Sequence, residues 1–331
     1  MARNLEPSFI GDTPEQRIKH RATDLGFDLV GIASAEPSHD RNALLAWLDA
    51  GFHADMAYMS GKTEHRLDPA MHLDGARSVI MTGVSCNVAL GPPEPGVARF
   101  ARYALNEDYH EWIMTRLRRL AHDLPDILSR PCRTRPFCDT SAVLERELGR
   151  RAGLGWIGKN AMLINPRYGS HILLGGIFLD IQLSTDTEIR NHCGTCRRCL
   201  DACPTQAIVA PRVLDARQCI AYHTIESRSA IPDRIAAAMG TWVFGCDICQ
   251  EVCPFNNVRT PETRHDAYRP RAQVIGRPLA ALASLTDDEF RREFRRSPVK
   301  RAKPHGLRRN AVAALVGKGE DPSGPSPGQD G

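Results

Sequence analysis

The sequence predicts an α/β domain (α+β in finer terms) over residues 1–185, a cysteine-rich module over 186–260, a short basic helical segment over 261–317 and a tail over 318–331. Three observations predict this. Helical and strand-like apolar patterns alternate as far as about residue 185, as they do where helices pack on a sheet. Eight of the eleven cysteines fall between Cys193 and Cys253. Between Arg291 and Arg309 nine Lys or Arg stand against one acid, Glu293.

The elements follow in order. Thr13-Pro14-Glu15-Gln16 supplies a cap hydroxyl, a proline at the first helical position and a glutamine at the third, so a helix starts there, with Ile18, Ala22 and Leu25 on one face. Phe27–Ala33 is a short apolar run after Gly26 and reads as a strand. A helix near Asn42–Ala50 ends at Gly51, and Ser78–Val84 reads as a second buried strand. Glu111–Leu124 and Ala142–Ala152 have helical patterns. His171–Leu183 is too apolar and β-rich for a surface helix. A basic helical segment is expected over Leu279–Val316, and the Gly/Pro/Ser-rich tail after Lys318 is expected to be disordered.

Composition excludes several classes. With 42% hydrophobic and 25% charged residues, the 331-residue chain is neither mostly disordered nor too small for a substantial core. No apolar run approaches the roughly 18 residues of a membrane span, and no apolar secretory segment opens the chain. A cytoplasmic, soluble protein with no membrane partner is expected. The net charge is +4, but Arg291–Arg309 alone carries +8, which leaves −4 for the rest. A positive charge so localised points to a polyanionic partner.

In a reducing compartment, clustered cysteines indicate a metal site rather than disulfides. Cys193-x-x-Cys196-x-x-Cys199-x-x-x-Cys203-Pro204 has the spacing of the bacterial ferredoxin run, in which three thiolates hold one [4Fe–4S] cluster and the fourth reaches the other. Cys246-x-x-Cys249-x-x-x-Cys253-Pro254 repeats the end of that pattern, and Cys219 is the spare thiolate nearby. Two cubanes need eight cysteines. By the crossing rule Cys193, Cys196, Cys199 and Cys253 hold one cluster, and Cys203, Cys219, Cys246 and Cys249 hold the other. Paired zinc sites are the alternative, but they use separate C-x-x-C elements. Cys86, Cys132 and Cys138 have no metal-ligand spacing around them and read as structural thiols.

Two clusters make an electron relay, so an acceptor is expected before residue 185. Gly153-Leu154-Gly155-Trp156-Ile157-Gly158 matches G-x-G-x-x-G, yet it follows a helix and runs into a loop and strand, the wrong context for a dinucleotide fingerprint. It reads as a turn where backbone approaches something closely. Asp139, just ahead of a helix, is a cap or an acid; Asp108-Tyr109-His110 is equally open.

Taken together, these stretches resemble the epoxyqueuosine reductase family. The resemblance rests on LGFDLVGIA at Leu25–Ala33, HRLDP at His65–Pro69, GARSVI at Gly75–Ile80, ARYA at Ala101–Ala104 and DYH at Asp108–His110. It continues with Asp139–Thr140, RAGLGWIGKN at Arg151–Asn160, YGSHILLG at Tyr168–Gly175, both cysteine runs, CIAYHTIE at Cys219–Glu226 and GLRRNAVAAL at Gly306–Leu315. It implies a nitroreductase-like cobalamin-binding domain, a ferredoxin-like module with two [4Fe–4S] clusters, and the start of a helical repeat region that longer members continue. By the same resemblance the substrate is tRNA carrying epoxyqueuosine in its anticodon stem-loop. The reaction is the two-electron removal of the epoxide oxygen, supplied by a low-potential donor. Arg66, Ala101, Asp139, Leu163, Leu174, Ala221 and Asp247 are implied as corrin contacts, with the glycine-rich turn approaching the corrin. Asp139 is implied as the proton donor, which requires it to be desolvated so that its pKa rises. Arg291–Arg309 would hold tRNA phosphates, and the enzyme is expected to be a monomer. Two rivals are a cobalamin-dependent reductive dehalogenase, usually exported behind a twin-arginine signal, and a ferredoxin-type carrier, which would not need 190 residues before its first ligand.

Overall fold

The structure, a computed structural model, describes residues 12–257 and 259–317. The expected tail lies outside the described residues. The first helix, Pro14–Asp24, begins at the expected cap: the Thr13 side chain accepts from the Gln16 N–H while the Gln16 side chain accepts from the Thr13 N–H. Its Ile18 and Ala22 face inward.

A four-stranded sheet lies at the centre, in the order Leu29–Ser34, Ser78–Ser85, Ile172–Leu179, Thr134–Phe137. All three pairings are antiparallel, so α+β is the fitting description rather than a sheet built by parallel crossovers. The two inner strands are buried almost throughout because both faces are covered. Alternation then sorts their side chains. Ile80, Val84, Leu173 and Ile177 pack toward helices Pro14–Asp24 and Tyr109–Leu128, while Val79, Met81, Leu174 and Phe178 pack toward helix Glu145–Arg151. The fourth strand holds Pro136, which is tolerated because the strand lies at the sheet edge.

A third core joins distant parts of the chain. Phe100 and Ala104 pack with Trp242–Phe244, Leu279, Phe290, Phe294, Leu307 and Ala311. Arg99–Phe100 also pairs in parallel with Trp242–Phe244. The stretch expected as one basic helical segment is broken into Leu279–Ala283, Asp287–Glu293, the 3-10 turn Pro298–Ala302 and Lys303–Val316. Arg296 and Lys303 have φ of 56° and 63°, and such left-handed backbone cannot continue a helix. Among the described residues no helix is long and apolar enough to cross a membrane.

Candidate functional site

The cysteines form two groups in space. Cys193, Cys196, Cys199 and Cys253 line one cavity together with Lys159, His192, Arg198 and Phe255. Burial pushes the Cys253 thiol up, and the neighbouring Cys193, Cys199 and Cys196 raise it further. Cys203, Cys219, Cys246 and Cys249 lie within electrostatic reach of one another. Burial raises the Cys249 thiol strongly, and Cys246, Cys219 and Cys203 add to it. Among the described residues no three His, Cys, Asp or Glu side chains converge to hold a single metal ion. The first four thiols surround a space instead, as ligands of a multinuclear cluster do. The GKN end of the glycine-rich turn braces both groups. Lys159 Nζ donates to the carbonyls of Gly194 and Cys196 at 2.7 and 2.8 Å, and Asn160 Nδ2 donates to the Cys249 carbonyl at 3.3 Å. The glycines of that turn meet the protein's own backbone: a side chain at Gly155 would collide with the Ile164 carbonyl.

Asp139 differs from expectation. It is not a helix cap, since helix Glu145–Arg151 begins after Leu144. Its side chain is 57% exposed. Its φ of 53° places it in the left-handed region, which Asp tolerates better than most residues. Its N–H donates to Glu145 Oε1 at 2.5 Å, and its carboxylate Oδ2 lies 3.0 Å from His110 Nε2. His110 Nδ1 in turn lies 2.6 Å from Asp108 Oδ1, and Lys300 Nζ donates to Asp108 Oδ2 at 2.5 Å. A hydrogen-bonded chain therefore runs Lys300–Asp108–His110–Asp139. Burial opposes charge on His110, but its bonds to Asp108 and Asp139 outweigh this and raise its pKa to about 9. The same contact with His110, with Lys300 assisting, holds the Asp108 carboxyl well below the usual range. Burial pushes half-buried Glu145 up to about 8, against the bond it accepts from the Asp139 N–H.

The residues implied as corrin contacts divide by exposure. Ala101, Leu163, Leu174 and Asp247 are buried at 2%, 3%, 8% and 3%. Leu163 and Leu174 pack in the core beside Leu148. Ala101 sits against Gly245, whose φ of 70° and crowded Cα exclude a side chain. Asp247 accepts from the Arg102 N–H at 2.7 Å and from Gln250 Nε2 at 2.9 Å, and burial pushes its pKa up to about 6. Arg66 and Ala221 are half-buried. Arg66 donates to the carbonyls of Tyr58 and Met59, which presents Tyr58 with its side chain 48% exposed. Tyr58 lies within electrostatic reach of Glu226, Arg301, Asp139 and Arg66, which places Arg66 and Asp139 in one neighbourhood.

The basic segment reaches that neighbourhood through Arg301 but is partly spent on the protein itself. Lys300 pairs with Asp108, Arg301 with Glu226 and Arg296 with Glu111. Arg309 donates to the carbonyls of His223, Ser227 and Ser229. Arg295 and Lys303 are exposed, with no side-chain partner among the described residues.

Known proteins match this arrangement along its length. An epoxyqueuosine reductase of Gloeobacter violaceus is 44% identical over 310 residues, which cover 92% of this chain and 96% of that protein. This chain belongs to the epoxyqueuosine reductase family. A Synechocystis epoxyqueuosine reductase is 41% identical over 297 residues, which cover 86% of this chain and all of that protein. Residues 66–140 match the family model described as epoxyqueuosine reductase QueG, and 192–256 match that of a 4Fe-4S double cluster binding domain. A crystal structure of an epoxyqueuosine reductase with an epoxyqueuosine-modified tRNA stem loop superposes with a TM-score of 0.81 at 28% identity, over 91% of this chain and 80% of that one. A Bacillus subtilis family structure, captured with its catalytic aspartate loop swung out of the active site, superposes at 0.79 and 27% identity.

In this family member several site residues escape a reading of the sequence. Tyr103 lies within electrostatic reach of both Asp139 and Asp247, the neighbour of Cys246, so Cys203, Cys219, Cys246 and Cys249 are the inner group relative to Asp139, and Cys193, Cys196, Cys199 and Cys253 the outer one. Tyr58, Glu145, Glu226, Arg301 and Lys300 complete the surroundings of Asp139. The DYH motif was the one available signal for His110; nothing in the sequence places Lys300 beside Asp108, 192 positions away.

Proposed function

We propose that this protein removes the epoxide oxygen of epoxyqueuosine at the tRNA wobble position, giving queuosine. The observation that carries this reading is the match at 44% identity across 92% of the chain to an epoxyqueuosine reductase. The dehalogenase and carrier alternatives lose their support to the same match. The reaction consumes two electrons and two protons, and converts the epoxide to an alkene and water.

Cys193, Cys196, Cys199 and Cys253 would hold one [4Fe–4S] cluster, and Cys203, Cys219, Cys246 and Cys249 the other. An exposed tyrosine between Arg66, Arg301 and two carboxylates suits a flat, partly apolar ligand with amide side chains, and cobalamin fits that description. Arg66, Asp139 and Ala221 would meet it directly, with Ala101, Leu163, Leu174 and Asp247 shaping the wall behind. Bound cobalamin supplies the reducing centre for carbon–oxygen cleavage, and the clusters supply low-potential electrons.

The chain's own task is the proton. The opened epoxide oxygen is strongly basic and needs a donor within about 3 Å. Asp139 delivers that proton, and His110 stores its replacement. Asp108, fixed by Lys300, keeps His110 charged and oriented. Arg295 and Lys303 meet tRNA phosphates. In domain terms, residues 1–185 carry the acid, 186–260 the clusters, and 261–317 the tRNA contacts in a cytoplasmic monomer. The test is anaerobic purification with cobalamin present, read as iron, sulfide and cobalt content. Two cubanes require about eight irons and eight sulfides per chain. Bound zinc without sulfide would refute the cluster assignment.

A further inference from the structure

The outer cysteine group lies beneath a surface whose charges are unevenly spent. The segment 190–198 is exposed at Arg190, Asn191, His192, Gly194, Thr195, Arg197 and Arg198. Its acids are already paired: Asp186 with Lys19, Glu188 with Arg150 and Asp201 with Arg197. Arg190 and Arg198 have no side-chain hydrogen bond or ion pair among the described residues, and both are exposed. Arg198 lines the cavity of Cys193, Cys196, Cys199 and Cys253, and Lys159 adds a second cation at its wall. Val209, an apolar side chain 51% exposed, stands on the strand that follows helix Arg198–Asp201. Exposed guanidiniums without a carboxylate partner are groups that recognise carboxylates.

From a free cation at the cavity of the outer thiols and a second one three residues before Cys193 in the chain, we propose that the face around Arg190 and Arg198 docks an acidic, low-potential one-electron carrier protein. The inference rests on the cluster reading above and adds the point of electron entry. Each encounter moves one electron from the carrier to the outer cluster, oxidising the carrier and reducing the cluster by one. Two encounters supply the two electrons the reaction consumes. The order of the groups supports entry here. The inner group, through Cys246 and Cys249, adjoins Asp247, and Tyr103 joins Asp247 to Asp139. Tyr58, Glu226 and Arg301, which surround Asp139, do not line the outer cavity. A charge-steered, transient contact suits a carrier that must bind, discharge and leave.

The test uses full-length protein with its clusters reconstituted, and reduced flavodoxin as the probe because it is acidic and carries low-potential electrons. Affinity is read from anisotropy of labelled flavodoxin across a salt series. Cluster reduction is followed in parallel by stopped-flow absorbance. The double variant Arg190→Gln/Arg198→Gln should bind flavodoxin about tenfold more weakly, with a flatter salt dependence. Its iron and sulfide content and its reduction by dithionite should be unchanged. Iron-loaded wild type that binds flavodoxin no better than the variant overturns the inference alone. So does a variant that loses affinity for a tRNA stem loop and not for flavodoxin, which would make this face part of the RNA site. Wild type without iron and sulfide overturns the cluster reading, and this inference with it.

Discussion

Replacing Asp108 with Asn isolates the proton store from the acid it serves. Asp108 caps helix Tyr109–Leu128 by accepting from the His110 N–H, and Asn caps as well as Asp, so the helix should survive. The charge does not survive. His110 loses the nearer of its two carboxylates, at 2.6 Å, and the Lys300 ammonium is left without its partner. Both changes disfavour imidazolium, as burial already does; Asp139, 3.0 Å away, is the carboxylate that remains, and neighbouring Glu145 is neutral when protonated. The His110 pKa should therefore fall from about 9 toward 6.5. At about pH 8 an imidazole of pKa about 9 is roughly 90% charged, and one of pKa 6.5 roughly 3%, a difference of about thirtyfold. Because the pKa is raised in the native site, the stored proton is present below that value and is lost as pH rises through it. The assay is single-turnover queuosine formation across pH with excess chemical reductant, so that electron delivery does not limit the rate. The alkaline limb should move from near 9 to near neutrality, while the rate at about pH 6 changes little. An alkaline limb that stays in place would refute the role given to His110.

Further variants separate structure from function. Cys219→Ala should lose mainly one cluster, whereas Cys86→Ala should lose neither, because its thiol is 2% exposed and faces the helix–sheet core; iron and sulfide analysis decides both. Arg309→Ala strips donors from three carbonyls and should cost about 1–3 kcal/mol, measured by denaturant unfolding, through its internal bonds rather than through RNA contact. Arg295→Gln with Lys303→Gln should leave stability unchanged and weaken tRNA binding, lowering the salt slope by about two.

Local chemistry wrote the helix starts and the buried strands plainly into the sequence. Thr13 and Gln16 cap each other, and the apolar runs at Ser78–Ser85 and Ile172–Leu179 are the two inner strands. Strand direction was not legible, since alternation has the same period in parallel and antiparallel sheets. The edge strand Thr134–Phe137 was missed because it is four residues long and contains a proline. The break of the basic segment was legible in Pro298, Pro304 and the Thr286–Glu289 capping box, each of which starts a new element, although the left-handed backbone at Arg296 and Lys303 has no glycine to announce it. At the site, cysteine spacing pointed to both groups, because ligand geometry constrains neighbours in sequence. The acid's surroundings depend on residues far apart: Tyr58, His110, Glu226 and Lys300 meet around Asp139 only through the third core, which brings the C-terminal segment onto the sheet domain. For the same reason the pairing of Asp139 with His110 was not legible, since His110 lies on another helix.

The most direct test of the account compares wild type with Asp139→Asn for conversion of epoxyqueuosine to queuosine in tRNA, read by nucleoside analysis after anaerobic incubation with cobalamin and a strong reductant. Asn tolerates the left-handed backbone at φ 53° and can still accept from His110, so fold, cofactor content and tRNA affinity should be retained. It cannot pass a carboxylic proton. The account predicts that wild type forms queuosine and that the variant is slower by about 10²–10⁴-fold or more. Queuosine formation at near wild-type rate in the variant would contradict it.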